Sequence, residues 1–329
     1  MVTVGDPAMA VHVTAPARLH LGFLDLEGGL GRRFGSLGLT IEGFATRLRI
    51  ERADTDEISG AAEVERTRRL LAVLGRSWRL PPVRITIEAT IPAHVGLGSG
   101  TQLGLALGVG LARLAGRPEG AREVARLLER GARSGIGIGA FEQGGFILDG
   151  GRTAAGEPPP VTARLPFPAG WRLLLIFDRA REGLHGAGEA GAFGALPPYT
   201  PALAGELCRR VVMQLLPGLA TGDIAAVGAA VGEIQRRVGD YFAPAQGGRF
   251  TSPAVSEVLA WLEGLGIAGV GQSSWGPTGF AVLESEEAAE RLHRAAQARF
   301  ADRFPSLRFV VTAARNRGAE LTTFDRGRG

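Results

Sequence analysis

The segment from residue 91 to residue 102, IPAHVGLGSGTQ, has the composition of an anion-binding loop. It lies between an extended apolar pattern and a helical one, QLGLALGVGLARLAG. Glycines leave main-chain N–H groups open to a close ligand, and the N-terminus of the next helix adds the positive end of its dipole. The residues that would form the binding surface are Gly96, Gly98, Ser99, Gly100, Thr101 and Gln102. The pattern predicts a phosphate-binding loop, or else a tight turn followed by close packing of the helix.

The loop does not match two common nucleotide-binding motifs. It has neither the G-x-x-x-x-G-K-[ST] pattern nor a G-x-G-x-x-G pattern after a strand. All 37 residues counted as lysine or arginine are arginines. Chemistry that needs a lysine amine, such as a Schiff base or a pyridoxal phosphate anchor, is therefore excluded.

The composition of the 329 residues is that of an ordinary globular protein. The formal net charge is +4 and the arginines are scattered, so we expect no nucleic-acid partner. The single cysteine, Cys208, excludes a disulfide framework and suits a reducing compartment. The longest apolar run, residues 103–114, is too short to cross a bilayer, so we expect a cytoplasmic protein with no membrane contact.

Periodicity predicts an α+β protein. Period-two alternation indicates strands over most of the first ninety residues, with a helix near residues 61–74. Helical patterns follow at 102–116, 201–216, 223–238 and 253–265, and the chain closes in the order strand, strand, helix, strand. Gly104 and Gly108 share one face of the 102–116 helix, where another element can approach closely. The proline-rich segment 150–168 lacks periodicity, so we place a domain boundary there, dividing the chain into 1–160 and 161–329.

Three segments together resemble the motifs of the GHMP kinase superfamily. The loop PAHVGLGS resembles the second motif, APARLHLGF at residues 15–23 looks like the first, and GVGQSSWGPTGFAV at 269–282 looks like the third. They occur in the family's order across nearly the whole chain. The resemblance implies an N-terminal β-α-β domain, a C-terminal ferredoxin-like domain, and an active site between them.

Two positions depart from the kinase pattern. Where those kinases commonly have a second loop serine that helps to hold magnesium, this chain has Gly100, and Thr101 would have to supply the oxygen. Where several of them place a catalytic aspartate, in a P-S-G-x-D segment, this chain has Gly137. An ATP-dependent small-molecule kinase therefore stays open as the alternative function, and a non-catalytic binding domain is a third possibility.

Both substitutions occur in a chain that closely resembles the β-ribofuranosylaminobenzene 5′-phosphate synthase family. The resemblance is carried by ARLHLGFLDL, GGLGRRFGSLGL, IPAHVGLGSGTQLGLALG, RSGIGIGAFEQGGFILDGG and GQSSWGPTGFA. It implies transfer of ribose 5-phosphate from 5-phosphoribosyl-1-pyrophosphate to 4-aminobenzoate or 4-hydroxybenzoate, with loss of pyrophosphate and carbon dioxide. It also implies a role in methanopterin-type cofactor biosynthesis. We further expect Mg²⁺, because pyrophosphate is the leaving group, and a homodimer, because the relatives are often dimeric.

Such a reaction needs groups that hold phosphate and carboxylate charge rather than a side-chain nucleophile. Arginines in the matching segments are candidates for the benzoate carboxylate and the 5-phosphate. They are Arg18, Arg32, Arg33 and Arg133. Arg18 is the best placed, because it lies one strand period from His20, and one of the adjacent pair Arg32 and Arg33 is expected to point away.

The remaining candidates are polar or aromatic residues of the same segments. His20 would orient a phosphate or move a proton on the aromatic substituent, and His94 adjoins the loop. Glu142 would hold magnesium or act as a base, or serve as a structural carboxylate at a strand edge. The residues expected to line the substrate pocket are Ser134, Gln272, Ser273, Ser274 and Trp275, with Asn316 and His185 as weaker candidates.

Overall fold

The computed structural model describes residues 10–183, 191 and 196–324, which fold around two sheets. The larger sheet has seven strands, and its long antiparallel pair β1–β2 carries the first motif. Its strands are β1 (Ala10–Asp25), β2 (Phe34–Arg52), β3 (Glu57–Gly60), β4 (Val83–Ala89), β5 (Phe146–Asp149), β6 (Val161–Leu165) and β11 (Glu320–Phe324). The order is β11-β1-β2-β4-β3, and β5 pairs with the first part of β2 and with β6.

Four helices belong to this half of the molecule. They are α1 (Val64–Trp78), α2 (Ser99–Leu114), α3 (Ala121–Leu127) and α4 (Ile136–Glu142). Helix α2 packs on β1 and β2, and α3 packs on α2. A Cβ at Gly108 would lie 3.0 Å from Val124 Cγ2, and one at Gly104 would lie 3.1 Å from Leu128 Cδ1. The prediction that these two glycines allow a close helix approach is therefore confirmed.

The second sheet has four antiparallel strands in the order β10-β7-β9-β8. These are β7 (Arg172–Asp178), β8 (Val270–Gln272), β9 (Gly279–Leu283) and β10 (Leu307–Thr312). The helices are α5 (Pro201–Arg210), a π-helical turn (Val211–Leu215), α6 (Leu216–Thr221), α7 (Ile224–Gln246), α8 (Pro253–Gly264) and α9 (Glu286–Phe300). When the four strands are numbered by their order in the chain, they lie across the sheet as 4-1-3-2, which is the ferredoxin-like arrangement. The predicted α+β fold class is confirmed.

The two sheets share one hydrophobic core. Leu19 of β1, Ile234 of α7 and Phe280 of β9 belong to the same buried cluster. Helix α7 also packs directly on β1 and β8. The first and third motifs therefore lie on elements that are fixed to each other by burial.

Helix and strand bounds depart from the predictions where distant contacts decide them. The helix predicted over 223–238 continues to Gln246, although it contains Pro244, and it ends at Gly247 with φ +81°. A proline in the last turn removes one hydrogen bond, and the glycine closes the helix in the left-handed conformation. Strands β6 and β11 both follow residue 160 in the chain, yet they join the larger sheet. The boundary at residue 160 stays a prediction, and the larger sheet contains strands from both sides of it.

Candidate functional site

The three motif segments meet at one carbonyl oxygen, that of Gly96. Arg18 Nη1 donates to it at 2.6 Å, and Ser273 Oγ donates to it at 2.8 Å. The main-chain N–H of His20 donates in turn to Ser273 Oγ at 3.0 Å, and Ser274 N–H donates to the carbonyl of His20 at 2.9 Å. Ser273 is completely buried, and its bond with the His20 N–H is shielded from water. The structure thus brings the predicted loop, strand and turn residues into one site.

The loop conformation requires glycine at two positions. Gly96 and Gly98 have φ of +82° and +83°, a region that side chains rarely adopt. A Cβ at Gly96 would overlap the Ser273 carbonyl oxygen, and one at Gly98 would lie 3.1 Å from Arg18 Cζ. The Arg18 guanidinium therefore lies directly against the loop, where α2 begins at Ser99.

A second arginine, Arg66 of α1, lies on the other side of the loop. A Cβ at Gly100 would lie 3.0 Å from Arg66 Cζ, so the guanidinium occupies the space that a side chain at position 100 would take. Its carboxylate neighbour is Glu63, with an N–O distance of 3.6 Å. No spacing in the sequence connects Arg66 with the loop, and it was not predicted as a site residue.

A third arginine, Arg130, follows α3 and lies near Arg66. Leu128 packs on Gly104, one turn beyond Gly100, which brings this end of α3 close to the start of α2. Burial and the charge of Arg66 both lower the pKa of Arg130. The guanidinium groups of Arg18 and Arg66 therefore lie beside the start of α2, with Arg130 near Arg66, and this concentration of positive charge favours a multiply charged anion.

The position of the kinase aspartate is filled by other groups. A Cβ at Gly137 would lie 2.7 Å from Thr101 Cγ2, so α4 packs directly on the first turn of α2. Gln102 is fully buried, and its Nε2 donates to the Gly137 carbonyl at 2.8 Å. Gln102 was predicted to bind phosphate, but its side chain is directed toward α4 and holds the two helices together.

Ser134 also has protein partners. Its Oγ lies 2.8 Å from Ser36 Oγ and 3.3 Å from Asp149 Oδ2. Asp149, which was not predicted, accepts the N–H of Gly135 at 2.8 Å and the hydroxyl of Ser36 at 2.6 Å. Burial raises the pKa of Asp149, while these hydrogen bonds oppose the rise. Both residues fix the start of α4, and thereby the position of Gly137.

Arg33 and Arg133 line a common pocket of about 660 Å³ together with Tyr199 and Tyr241. Arg33 Nε donates to the Leu26 carbonyl at 3.1 Å, which holds its guanidinium at the pocket wall. The neighbouring Arg32 donates instead to the carbonyl of Gly151 at 2.9 Å. Of the adjacent pair, Arg33 is therefore the one that faces this pocket.

His20 borders a separate small cavity of about 40 Å³ between β1, α7 and the third motif. Its side chain is 4% exposed, and burial together with the Arg18 charge lowers its pKa to about 3. The predicted residues Gln272, Ser274 and Trp275 line the same cavity. Gln272 positions this turn, because its Nε2 donates to the Ser274 carbonyl at 3.1 Å and its main-chain N–H donates to Gln235 at 2.8 Å.

The four remaining predicted residues are Glu142, Asn316, His94 and His185. The placement of Glu142 at a strand edge is wrong, because it is the exposed last residue of α4, at the end opposite Gly137. Burial of its carboxylate nevertheless raises the pKa of Glu142. Asn316 bonds both main-chain polar groups of Phe167 at 2.8 Å. His94, with φ +57°, accepts the Gly183 N–H on its carbonyl, and His185 lies outside the described residues.

The described side chains do not form a magnesium site of their own. Within residues 10–183, 191 and 196–324, no group of three or more His, Cys, Asp or Glu side chains is arranged to hold a metal ion. Gly100 has no side-chain oxygen to offer, and Arg66 occupies the space beside it. In the same part of the chain, no helix is long and apolar enough to cross a membrane.

Comparison with known proteins agrees with this geometry. The family models for the GHMP kinase N-terminal and C-terminal domains match residues 61–145 and 215–302. The β-ribofuranosylphenol 5′-phosphate synthase of Methanothermobacter thermautotrophicus is 32% identical, over 93% of this chain and 97% of the relative. The protein of the same name from Archaeoglobus fulgidus is 29% identical, over 94% of this chain and 99% of the relative.

Solved structures establish the fold independently. Mevalonate diphosphate decarboxylase from Staphylococcus aureus superimposes with a TM-score of 0.69 at 14% identity, covering 95% of this chain and 98% of the other. Homoserine kinase from Cytophaga hutchinsonii gives 0.67 at 18% identity, covering 95% and 98%. Identities this low speak for the fold alone, whereas the curated relatives match almost from end to end. The chain therefore has the GHMP kinase fold and belongs to the β-ribofuranosylphenol 5′-phosphate synthase family of enzymes.

Proposed function

We propose that the chain is a decarboxylating pentosyltransferase that joins 5-phosphoribosyl-1-pyrophosphate to 4-hydroxybenzoate or 4-aminobenzoate. The product is a C-riboside 5′-phosphate, a step in tetrahydromethanopterin biosynthesis. The observation that carries the proposal is the environment of the loop. Guanidinium groups from Arg18 and Arg66 lie against Gly98 and Gly100, whereas the site of a kinase base is Gly137, packed on Thr101.

The reaction breaks one bond at ribose C1 and one at a ring carbon, and it joins these two carbons to each other. The bond between ribose C1 and the pyrophosphate oxygen breaks, and its electron pair leaves with pyrophosphate. The ring carbon that bears the carboxylate attacks C1, and the carboxylate then departs as carbon dioxide while its electron pair restores the aromatic ring. Neither step deprotonates an alcohol for attack, so the reaction has no need of the aspartate that Gly137 replaces.

The protein's main contribution is electrostatic. Negative charge develops on the departing pyrophosphate, and preorganised donors at the start of α2 stabilise that charge more than they stabilise the bound substrate. We assign the diphosphate to the loop, beside Arg18 and Arg66. The pocket of Arg33 and Arg133 would bind the other anionic group, either the 5-phosphate or the benzoate carboxylate.

Magnesium enters this proposal as a counter-ion of the substrate. Mg²⁺ commonly binds through substrate phosphates with few protein ligands, and the described residues offer no carboxylate cluster at the loop. Activity measured with and without a chelator tests the expected dependence. The homodimer and the cytoplasmic location also stay predictions, and light scattering of the purified protein tests the first.

The names of the relatives bear on the choice of benzoate. They are called β-ribofuranosylphenol 5′-phosphate synthases, and a phenol product carries a hydroxyl group on its ring. We therefore propose 4-hydroxybenzoate as the preferred acceptor. Competition between 4-hydroxybenzoate and 4-aminobenzoate at equal concentrations, with both products quantified, tests that choice.

The decisive experiment follows the carboxylate carbon. The protein is incubated with 5-phosphoribosyl-1-pyrophosphate and carboxyl-labelled 4-hydroxybenzoate, and labelled carbon dioxide and pyrophosphate are measured together. We expect the two products in equal amounts, and we expect no ADP when ATP replaces the sugar diphosphate. ADP formation without carbon dioxide would favour the kinase alternative. If neither ADP nor carbon dioxide forms, the result would favour a non-catalytic binding domain.

A further inference from the structure

We infer that the cavity beside His20 receives the para substituent of the aromatic substrate, with His20 Nε2 accepting a hydrogen bond from it. This inference rests on the proposed function and deepens it, because it names the residue that recognises the hydroxyl or amino group. The sequence motif placed His20 in the site without distinguishing a phosphate role from this one.

The first observation is a buried acceptor atom. His20 Nε2 is inaccessible to solvent and has no hydrogen-bond partner among the described residues. A neutral imidazole carries its proton on one nitrogen and a free lone pair on the other, so Nε2 can accept a hydrogen bond when Nδ1 holds the proton. Because its pKa is about 3, the ring stays neutral in any ordinary assay.

The second observation is that neighbouring polar groups of the cavity are already paired. Gln235 Nε2 donates to the Leu21 carbonyl at 2.8 Å, and its Oε1 accepts the Gln272 N–H at 2.8 Å. Arg249 is held by Asp240, with Nε to Oδ1 at 2.7 Å. A buried polar atom without a hydrogen-bond partner costs free energy. We therefore expect His20 Nε2 to bond to a ligand or a water molecule.

The third observation is the size and shape of the cavity. About 40 Å³ has room for one or two water-sized groups, which suits a hydroxyl or amino substituent and excludes a larger one. Its walls include Phe23, Phe242 and Trp275. The His20 and Phe23 rings meet edge to face at 4.7 Å, and Trp275 meets Phe242 at 4.8 Å. These faces and edges suit the approach of another aromatic ring.

The cavity also adjoins both anion sites. The His20 N–H reaches the loop through Ser273 and the Gly96 carbonyl. On the other side, Phe23 contacts Phe34 at 5.5 Å, and Phe34 lines the pocket of Arg33 and Arg133. A hydrogen bond from the para hydroxyl to Nε2 draws its hydrogen away from oxygen. Electron density then rises at the ring carbon opposite, which is the carbon that attacks ribose.

The test compares 4-hydroxybenzoate with 4-fluorobenzoate, whose substituent is no larger than a hydroxyl group and has no hydrogen to donate. Binding is measured by calorimetric titration. We expect the wild-type protein to bind the hydroxyl compound at least about tenfold more tightly, the size of one buried hydrogen bond. His20→Phe should bring the ratio near one, and His20→Gln, whose carboxamide oxygen can accept, should retain part of it.

The controls separate recognition from folding. Side-chain replacement at position 20 leaves the main-chain bond to Ser273 available, and thermal unfolding of both variants reports on their structure. The matched control is His293→Gln, a partly exposed histidine of α9 beside Glu290, which should keep the full ratio. Absence of 4-hydroxybenzoate binding, a wild-type ratio near one, or a ratio that survives in His20→Phe would overturn the inference. A preserved binding ratio without carbon dioxide release would instead refute the proposed function alone.

Discussion

Replacement of Gly100 by alanine tests whether Arg66 binds the diphosphate. The new Cβ would lie 3.0 Å from Arg66 Cζ, and Arg66 Nη2 would be closer still. The end of a flexible side chain can move, so we expect the guanidinium to leave the loop while the fold is kept. A hydrogen bond to a charged group contributes about 1.5–3 kcal/mol. The KM for 5-phosphoribosyl-1-pyrophosphate should therefore rise by roughly 10- to 100-fold.

Gly100→Ala should raise the free energy of unfolding even though it weakens substrate binding. Alanine is a better helix former than glycine by about 0.5–1 kcal/mol, and Gly100 is the second residue of α2. Gly75→Ala in α1 is the matched control, because no atom lies within 4 Å of its new Cβ. It should give the same kind of stability gain with an unchanged KM.

A double-mutant comparison completes the test. Arg66→Ala alone should raise KM about as much as Gly100→Ala does, and the two changes together should have no larger effect, since both remove one interaction. Titration with pyrophosphate gives the same comparison without catalysis. An unchanged KM in Gly100→Ala, or a further rise when it is added to Arg66→Ala, would refute the assignment of Arg66.

Four other substitutions probe the remaining contacts. Gly96→Ala places a Cβ on the Ser273 carbonyl at φ +82°, so thermal unfolding should show a loss of about 1–3 kcal/mol, and an unchanged melting temperature would contradict this. Ser273→Ala leaves the buried His20 N–H without an acceptor, so the free energy of unfolding measured in urea should fall by about 1–3 kcal/mol relative to wild type. Gly137→Asp should create no ADP-forming activity and should lower stability, because Thr101 Cγ2 would lie 2.7 Å from its Cβ; a gain of kinase turnover would show the packing argument to be wrong. His20 binds its proton more weakly when folded, with a pKa of about 3 against 6.5, so its contribution to stability is fully present above pH 6.5 and falls by about 1.4 kcal/mol per pH unit toward pH 3. Urea unfolding at pH 7 and pH 5 should therefore show a smaller acid loss in His20→Gln than in wild type, and equal losses would count against the burial argument.

The fold was predictable because its elements carry local patterns. Alternation marks β1 and β2, and the closing order strand, strand, helix, strand fits an α+β half. The ferredoxin-like arrangement of that half was implied by the family resemblance. Strand β11 was missed because its five residues are all exposed and pair only with the start of β1. Such pairing depends on a partner some 300 residues away in the chain, which local periodicity cannot report.

The residues of the site that belong to sequence motifs were predictable, and the others were not. Arg18, His20 and Ser273 meet at the loop because they belong to three recognisable motifs. Arg66 and Asp149 have no such signal, since a single arginine on an amphipathic helix and an aspartate at the end of a strand are common surface residues. Their roles come from tertiary placement, which brings α1 over the loop and Asp149 under the start of α4.

The two glycines that replace kinase side chains are explained by what occupies the vacated space. At position 100, the absent Cβ admits the Arg66 guanidinium, and at position 137 it admits the methyl group of Thr101. The first exchange puts a fixed positive charge where a hydroxyl would help to hold a metal, and the second removes a base and closes its place with packing. In the proposed reaction, the fixed positive charge helps to stabilise a departing diphosphate, and the lost base is not needed. An enzyme that phosphorylates an alcohol by general base catalysis would lose rate from both, so the pair of glycines argues for glycosyl transfer more strongly than either position does alone.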